Sequence, residues 1–440
     1  MGFFDYLFSP KQANTQKIQF GRFSDAYKEE EKYDSWDQAL VDFENKSYLD
    51  SYRNFLHYLG DDSAENLLYK DRGTHIDFKL FQGSKIVVGS ISDKKILAEA
   101  KIATVQKRHI GFMRRLLEEN FQLKYCRYAF DQDGNITMVF ASDTVDGSPY
   151  KLYYALKELA TRADKKDDVL LSEFENLKPI NNKHVREISE QEVQIKYDYM
   201  HQEINTVFDF INDSKLSFVR HPGAESYLYL DLIYRIDYLI KPEGDIMEII
   251  DKIHNLYFHD KMKPPSEKNS IIRKHLEKIL EISSERFNNE IYEVKSTFGI
   301  TQPSGQERIQ HFIDGELKNM DWYYQNDHRE VALSIPLYII GYSLYSYSMP
   351  APLREMCHLL YRVTQEEYFQ KLGINNEKSN TLFNVRSVTK ELKRITRYYG
   401  ETYPEMRIKS DGLLFDNLCL FSKTYLMMIK RINFSRKDNR

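Results

Sequence analysis

The chain has 440 residues, with 62 Lys and Arg against 66 Asp and Glu, and a formal net charge of −4. This length exceeds one ordinary hydrophobic core, and a content of 42% hydrophobic and 29% charged residues excludes an intrinsically disordered chain. The near balance of charge gives no whole-protein field that would gather nucleic acid, so no nucleic-acid partner is expected, although a local basic face remains compatible with these totals.

Residues that form turns and disulfides are scarce. With 18 Gly and 12 Pro, the chain falls well below the usual share of about 12%, which predicts a mostly helical protein. The three cysteines, Cys126, Cys357 and Cys419, are too widely spaced for a disulfide framework or a CxxC pair. A reducing cytoplasm is the expected location.

The first segment, residues 1–35, is interpreted as an N-terminal segment and linker. Phe3, Phe4, Leu7 and Phe8 would form one aromatic stripe on a short helix. The stripe either docks on the protein's own core or binds a partner or membrane surface, and no basic residue precedes Lys11. The segment MGFFDYLFSPKQ has no positively charged leader, so no secretory signal peptide is expected.

Two helical stripes follow, separated at residues 45–47. The stripes comprise Trp36, Ala39, Leu40 and Phe43, and then Tyr48, Tyr52, Phe55, Leu56 and Leu59. They resemble a single tetratricopeptide-type hairpin, which is not stable alone and must therefore pack on the domain that follows.

Period-two alternation then predicts strands at 76–81, 85–91 and 96–102. A helix is predicted next, because the period changes at Val105, His109, Phe112, Met113, Leu116 and Leu117. Two further strands, 123–130 and 136–142, flank an Asp-Gly turn. That turn, DQDGN, is not an EF-hand loop, because Gly134 stands at position four instead of six. Ser148 and Pro149 begin a last helix.

The order helix, three strands, helix, two strands, helix, together with the stretch LLEENFQLKYCRYAFDQDGNITMVFASDTVDGSPYKLYYALKELATRADKKDD, is similar to the type III secretion chaperone-like superfamily of bacteria. That superfamily includes the Tir-chaperone and YbjN-type groups, and the similarity covers residues 48–175. The resemblance implies a non-enzymatic module that forms homodimers and binds extended segments of partner proteins. We therefore expect an α+β fold, with residues 36–177 as the chaperone-like domain.

The antiparallel sheet is expected in residues 36–177. The remainder, residues 185–435, is predicted to be a large all-α domain. Helices are predicted at 188–212, 224–240, 245–258, 267–295, 306–320, 331–347, 353–372, 388–399 and 413–432. The long apolar run at 331–347 contains Pro336 and several tyrosines and serines, so we interpret it as a buried helix and expect no integral membrane segment.

Candidate chemistry in this half is sparse. His254 and His259 are five residues apart, unlike a helical metal pair, and the adjacent Cys357 and His358 point apart on a helix. No Walker loop, GxGxxG, GxSxG or CxxC occurs. We assign no catalytic, metal or cofactor-binding residue, and no cofactor is expected. Tyr338, Tyr342 and Tyr345 lie at helical spacing, either as core or as a partner groove.

The leading functional hypothesis is a cytoplasmic scaffold that binds a protein or peptide partner without catalysis. The alternative is an enzyme with a site between the C-terminal helices. Such a site would gather several of five histidines with carboxylates: His201, His221, His311, His328 and His358. The basic end, KRINFSRKDNR, is either a solvated terminus or a contact for an anionic surface.

Overall fold

In the computed structural model of the chain, the described residues are 18–21, 28, 30–61, 66–107, 109–174, 176–180, 186–294, 302–303, 306–374 and 381–435. Their buried apolar side chains form two separate clusters, one between Ala39 and Leu177 and the other between Val193 and Phe434. The first surrounds an antiparallel sheet and the second is helical. The expected α+β fold class is therefore confirmed.

Helices α1 (Glu30–Glu44) and α2 (Tyr48–Leu59) form the expected hairpin. Lys46 takes a positive φ of 63° in the turn between them. The Ser51 hydroxyl donates to the Ala39 carbonyl over 2.7 Å and ties the two helices together. The apolar stripe of α2 is fully buried, because it packs on the sheet and on the helix that follows the sheet.

The sheet has seven strands, and every neighbouring pair is antiparallel. The strands and the helix between them are β1 (Leu67–Asp71), β2 (His75–Gln82), β3 (Lys85–Ser92), β4 (Lys95–Val105), α3 (Ile110–Asn120), β5 (Arg127–Phe130), β6 (Ile136–Asp143) and β7 (Leu177–Pro179). The spatial order is β1-β2-β3-β4-β6-β5, and β7 pairs with the end of β4.

All five expected strands are present, and β1 and β7 are additional. Strand β1 was missed because its apolar residues are consecutive and its side chains are mostly exposed, which leaves no alternation to detect. The strand predicted from residue 123 begins at Arg127 instead. The reason is that Glu158 accepts hydrogen bonds from three successive backbone N–H groups, at residues 124–126.

Helix α4 (Pro149–Glu173) crosses one face of the sheet. Its inward residues Leu152, Leu156 and Leu159 are completely buried. Further along, the Asp164 carboxylate accepts the Ser84 N–H over 2.7 Å and so holds the β2–β3 turn against the helix. A side chain at Gly83 would collide with Asp164, and its φ of 51° also favours glycine there.

The second half contains twelve helices in the described residues. They are α5 (Glu190–Asp213), α6 (Pro222–Ile240), α7 (Gly244–His259), α8 (Pro265–Leu280), α9 (Ser284–Asn289), α10 (Gln306–Leu317), α11 (Met320–Gln325), α12 (Arg329–Ser346), α13 (Ala351–Thr364), α14 (Glu366–Lys371), α15 (Val385–Tyr399) and α16 (Leu418–Lys430). Two small sheets join β8 (Arg186–Glu187) to β9 (Tyr292–Glu293) and β10 (Gln302–Pro303) to β11 (Tyr347–Ser348).

Two of the nine predicted helices are each divided in two. The breaks fall between α8 and α9 and at Gln365 between α13 and α14, and the helix predicted at 306–320 ends at Leu317, before α11 begins. Helices α6 and α12 pack against each other at the centre, and nearly all of α6 is buried. The run expected to be a buried helix is α12, which continues through Pro336.

A short N-terminal segment contacts the helical half. The Phe20 ring lies 5.1 Å from the rings of both His358 and Phe369, and the Gly21 N–H donates to the Tyr238 carbonyl over 2.8 Å. Lys28, in contrast, is buried against the α/β domain, where its ammonium donates to the Leu59 carbonyl over 3.2 Å. Phe20 and Gly21 therefore contact the helical half, and Lys28 contacts the α/β domain.

We expect Tyr52→Phe to lower the free energy of unfolding of the α/β domain by about 1–3 kcal/mol. The buried Tyr52 hydroxyl lies 3.0 Å from the Thr144 carbonyl and 2.8 Å from the Gly147 carbonyl, and phenylalanine would remove this donor. Urea unfolding followed by circular dichroism measures the change. Tyr150→Phe, at an exposed tyrosine, is the matched control and should have no effect; equal stability of all three proteins would contradict the prediction.

Candidate functional site

One face of the seven-stranded sheet is covered by α2 and α4, and no described element covers the other. We call this second surface the open face. It carries a trough of about 780 Å³. The strand register places one row of side chains across six strands: Leu68, Lys79, Val88, Glu99, Val139 and Arg127. Apolar and charged side chains therefore alternate across the trough.

Three large apolar side chains on the open face are strongly exposed. Leu68 is 55%, Val88 45% and Leu97 51% accessible. Solvated faces of antiparallel sheets usually carry polar residues, so these side chains depart from the expected alternation. The open face thus combines apolar contact area with charged groups at its rim, as peptide-binding surfaces do.

The two outer edges of the sheet differ. At β5, the Asn120 side chain accepts the Tyr128 N–H over 2.6 Å and donates to the Tyr128 carbonyl over 3.3 Å, which blocks that edge. At β1, the pairing with β2 leaves the backbone groups of Leu67, Tyr69 and Asp71 pointing outwards, and none has a backbone partner among the described residues. The β1 edge is therefore the one open to another strand.

Helix α3 has an uncovered apolar stripe. Ile110, Leu117 and Phe121 are 84%, 70% and 94% exposed, and Met113 lies between them on the same side. The opposite side of α3 buries Phe112 and Leu116 in the domain core. An apolar stripe of this size on a short helix is typical of an interaction surface.

The charges of α3 are divided along its length. Arg114 and Arg115 lie in its first half, and Glu118 and Glu119 lie in its second half, with ion pairs at 2.9 Å and 3.7 Å within the helix. An antiparallel copy of α3 would place the basic half of one helix beside the acidic half of the other. The arrangement is therefore self-complementary under a twofold axis.

The partner-binding residues predicted from the sequence fall elsewhere. Phe3, Phe4, Leu7 and Phe8 lie outside the described residues. Tyr338 is buried, and Tyr342 and Tyr345 are half-buried. All three surround Tyr234, with ring centroids 6.4, 5.8 and 5.1 Å away, so the structure places them together in the helical core.

The five histidines of the enzyme hypothesis are dispersed. His221 and His328 both flank Trp322, at ring distances of 4.9 and 5.9 Å, and they are the closest to a cluster. The His201 ring packs on Tyr197. His358 contacts the Tyr238 hydroxyl through Nδ1 over 3.1 Å, and burial lowers its pKa to about 3, so it is neutral at pH 7. The described side chains form no histidine-lined cleft.

A buried arginine lies behind a pocket of about 290 Å³ between α5 and the α13–α14 junction. Arg235 donates to Tyr199 over 3.2 Å, to Gln365 over 3.1 Å and to the Glu203 carboxylate. Its other terminal nitrogen contacts Asp231 over 3.2 Å. Two carboxylates therefore share one guanidinium, and this network connects α5 and α6 to the α13–α14 junction.

The network has an excess of negative charge. Burial raises the pKa of Asp231 to about 6, although Arg235 opposes the shift and Glu203 adds to it. One Asp231 oxygen and the Arg235 Nε are buried without a hydrogen-bond partner among the described atoms. Perturbed carboxylates beside a pocket mark functional sites in many enzymes, but the same features occur in structural ion networks.

The cysteines are poor nucleophiles. All three are buried free thiols. Burial raises the pKa of Cys357 to about 12 and that of Cys419 to about 11, and it raises the pKa of Cys126 as well. Because the thiolate is the reactive form, these thiols are unsuited to covalent catalysis at neutral pH.

The DQDGN sequence forms the expected hairpin turn. Gly134 has a φ of 81°, and Asp131 accepts the Asn135 N–H over 2.8 Å and contacts the Lys101 ammonium over 2.9 Å. Burial of Asp131 is outweighed by these hydrogen bonds, which lower its pKa to about 2. The Asp131 carboxylate therefore stabilises the turn through these contacts.

In the described part of the chain, no group of three His, Cys, Asp or Glu side chains is arranged to hold a metal ion. None of the described helices is long and apolar enough to span a membrane. Comparisons of the chain with protein-family models, with curated proteins and with solved structures find no match.

The open face and the α3 stripe were both missed from the sequence, although each left a signal. In α3, the residues at helical spacing included Phe112 and Leu116 together with Met113 and Leu117, an arc too wide for one buried face. In β3, Val87 and Val88 are consecutive, so one of them must lie on each face of the sheet.

Asp231→Asn should change how stability depends on pH. Because the folded-state pKa of about 6 exceeds the ordinary 3.8, protonation of Asp231 stabilises the fold below about pH 4, and that contribution is lost as the pH rises through 6. Relative to the variant, the wild type should gain up to about 3 kcal/mol between pH 7 and pH 4.

Urea unfolding across this pH range measures the difference. Asp209→Asn, at an exposed position of the neighbouring helix α5, is the control and should run parallel to the wild type. Parallel curves for Asp231→Asn as well would show that Asp231 does not titrate in this range.

Proposed function

We propose that the chain is a non-catalytic binding protein whose α/β domain holds an extended segment of a partner protein in the trough on the open face. The observation that supports this most is the exposure of Leu68, Val88 and Leu97 in a concave surface with charged neighbours. A bound segment with alternating apolar side chains would cover these residues and place its polar groups near Lys79, Glu99 and Arg127.

The β1 edge offers the same partner its backbone hydrogen bonds. It adjoins the trough, because Leu68 and Lys70 of β1 line it. A segment added antiparallel to Leu67, Tyr69 and Asp71 would extend the sheet by one strand. Because the Asn120 side chain blocks the β5 edge, an added strand would pair with β1.

The resemblance to type III secretion chaperone-like proteins supports the same proposal. The resemblance implies the order helix, three strands, helix, two strands, helix. The chain has this order as α2, β2–β4, α3, β5–β6 and α4, and the antiparallel sheet contains β1 and β7 in addition. Three buried free thiols suit a reducing cytoplasm, which we propose as the location. The enzyme alternative has less support, since its histidines are dispersed.

We further propose that α3 binds a second copy of the chain. The stripe from Ile110 to Phe121 supplies the apolar area, and the division of charge between Arg114 and Glu118 suits an antiparallel helix pair about a twofold axis. The open face lies on the sheet and α3 beside it, so one surface could bind a partner while the other dimerises.

Val88→Glu/Leu97→Glu should weaken peptide binding at least about tenfold. A displayed random-peptide library is selected on the immobilised full-length chain, and the recovered peptides are labelled for fluorescence anisotropy. We expect peptides with alternating apolar residues, bound at least tenfold more weakly by the variant, because two buried apolar contacts are lost. Val219→Glu/Leu414→Glu, at exposed positions of the helical half, is the matched control. If both variants bind the peptides equally well, or if no peptide is selected, the trough is not the peptide-binding site.

Leu117→Asp should convert a dimer into a monomer. A residue at a twofold interface is changed twice, so the dissociation constant should rise at least 100-fold. Sedimentation equilibrium of the full-length chain measures it, and Val219→Asp, at a position that is also strongly exposed but on the helical half, should remain dimeric. A wild type that is monomeric at 100 µM would exclude α3 as a dimer interface.

A further inference from the structure

The β1 edge of the sheet exposes side chains as well as backbone groups. Leu68 is 55% and Tyr69 46% exposed, and they point to opposite faces because they are neighbours in a strand. Lys70 follows, with its side chain on the open face, as that of Leu68 is. An uncovered edge with apolar side chains pairs readily with another extended chain, and folded proteins usually cover such edges. The β1 edge is therefore suited to bind an extended segment.

A segment of matching pattern lies near the start of the same chain, outside the described residues. If residues 4–8 are extended, alternate side chains point to opposite sides, Phe4, Tyr6 and Phe8 to one and Asp5 and Leu7 to the other. Phenylalanine and tyrosine favour strands, whereas the short helix expected from the aromatic stripe would be marginal in isolation. Pro10 has no backbone N–H and ends this strand-forming run.

One antiparallel register matches four successive residues of β1. It pairs Asp5 with Lys70, Tyr6 with Tyr69, Leu7 with Leu68, and Phe8 with Leu67. Opposite charges, paired aromatic rings and paired apolar side chains are the combinations that stabilise neighbouring antiparallel strands. The fifth pair, Phe4 with Asp71, is the exception, and the Asp71 carboxylate already accepts a hydrogen bond from Arg53 Nε over 2.5 Å.

Other registers and another occupant fit this edge less well. Lys70 is the only basic residue of β1, so Asp5 meets a positive charge of that strand in this register alone. In the parallel direction, the same charge pair would move Leu7 beyond the end of β1. A second copy of β1, paired antiparallel over its full length, would put Lys70 of each chain opposite Leu68 of the other.

The chain can reach the edge in this direction. The Lys28 ammonium and the Asn66 amide both donate to the Leu59 carbonyl, over 3.2 and 3.1 Å, so Lys28 lies beside the start of β1. Ten residues lead from Phe8 to Ile18 and ten from Ile18 to Lys28, and each stretch spans up to about 33–36 Å. The antiparallel register places Phe8 at this same end of β1. The stretch that leaves the docked segment is therefore as long as the one that returns to β1.

We infer that residues 4–8 pair with β1 of the same chain and form an eighth antiparallel strand of the sheet. The segment covers the β1 edge and places Leu7 beside Leu68, at one end of the trough. The docking depends only on the β1 edge. Its regulatory effect rests on the proposed function, because a partner segment must displace residues 4–8 before it can add to β1.

Disulfide trapping in the full-length chain tests the docking. In Leu7→Cys/Leu68→Cys, the two Cα atoms of this pair would lie about 4.5 Å apart, within the range that disulfides span. Mild oxidation should therefore link the two residues within one chain. Leu7→Cys/Leu97→Cys is the matched control, because Leu97 is equally apolar and exposed on the same face but about 19 Å from the docked segment. It should form the link at least about tenfold more slowly.

A charge swap tests the register. Added to the Leu7→Cys/Leu68→Cys chain, Asp5→Lys should slow the link about threefold or more, because two lysines would then face each other. Asp5→Lys/Lys70→Asp restores the opposite charges and should restore the rate. Peptide mapping by mass spectrometry identifies the linked residues, and non-reducing electrophoresis separates links within a chain from links between chains. A slow rate that the swap fails to restore would exclude this register.

The remaining outcomes separate docking from the proposed function. A link that forms only between two chains, or at equal rates in the Leu68 and Leu97 variants, would overturn docking within the chain. If docking is found, library-selected peptides should bind Tyr6→Pro at least about fivefold more tightly than the wild type, because proline removes a backbone donor from the docked segment. Docking without any peptide binding would refute the proposed function alone, and peptide binding without the link would refute the docking alone.

Discussion

Helix α4 crosses the covered face of the sheet and contacts β2, β3, β4, β6 and β7. The leucines and alanines between Leu152 and Ala163 fill the space that the inward side chains of the strands leave, and they are completely buried. Two of its carboxylates also fix loops, since Glu158 holds the segment before β5 and Asp164 holds the β2–β3 turn. Helix α4 therefore packs on five of the seven strands and also holds two of the segments that connect them.

Coverage by α4 on one side has a direct effect on the other. An antiparallel sheet can be stable with only one buried face, so the open face can carry exposed apolar side chains such as Val88 and Leu97 while the core on the other face is complete. The same division applies to α3 and α15, each of which buries one side in a core, while the opposite side carries an apolar stripe beside charged residues in α3 and basic residues in α15. The open face, the α3 stripe and the exposed side of α15 therefore contribute little to the hydrophobic cores.

The parts that were predictable from the sequence are those with local signals. The helical stripe of α2, the alternation in β2 and β4, the Asp-Gly turn at Gly134 and the start of α4 at Pro149 all depend on residues close in sequence. Strand β1 and the breaks in the long helices depend on tertiary contacts. For the candidate surfaces, periodicity identified the residues of α3 but could not show which side would be covered, because this is decided by residues far along the chain.

The N-terminal segment gives the two halves a second connection. Phe20 and Gly21 contact the helical half through Tyr238, His358 and Phe369, whereas Lys28 belongs to the α/β domain. The chain between α4 and α5 is the first connection. A protease that cuts there would leave two fragments that still contact each other through Phe20 and through the packing of α4 on α7, so the nicked protein would elute from a sizing column as one species until both contacts are broken.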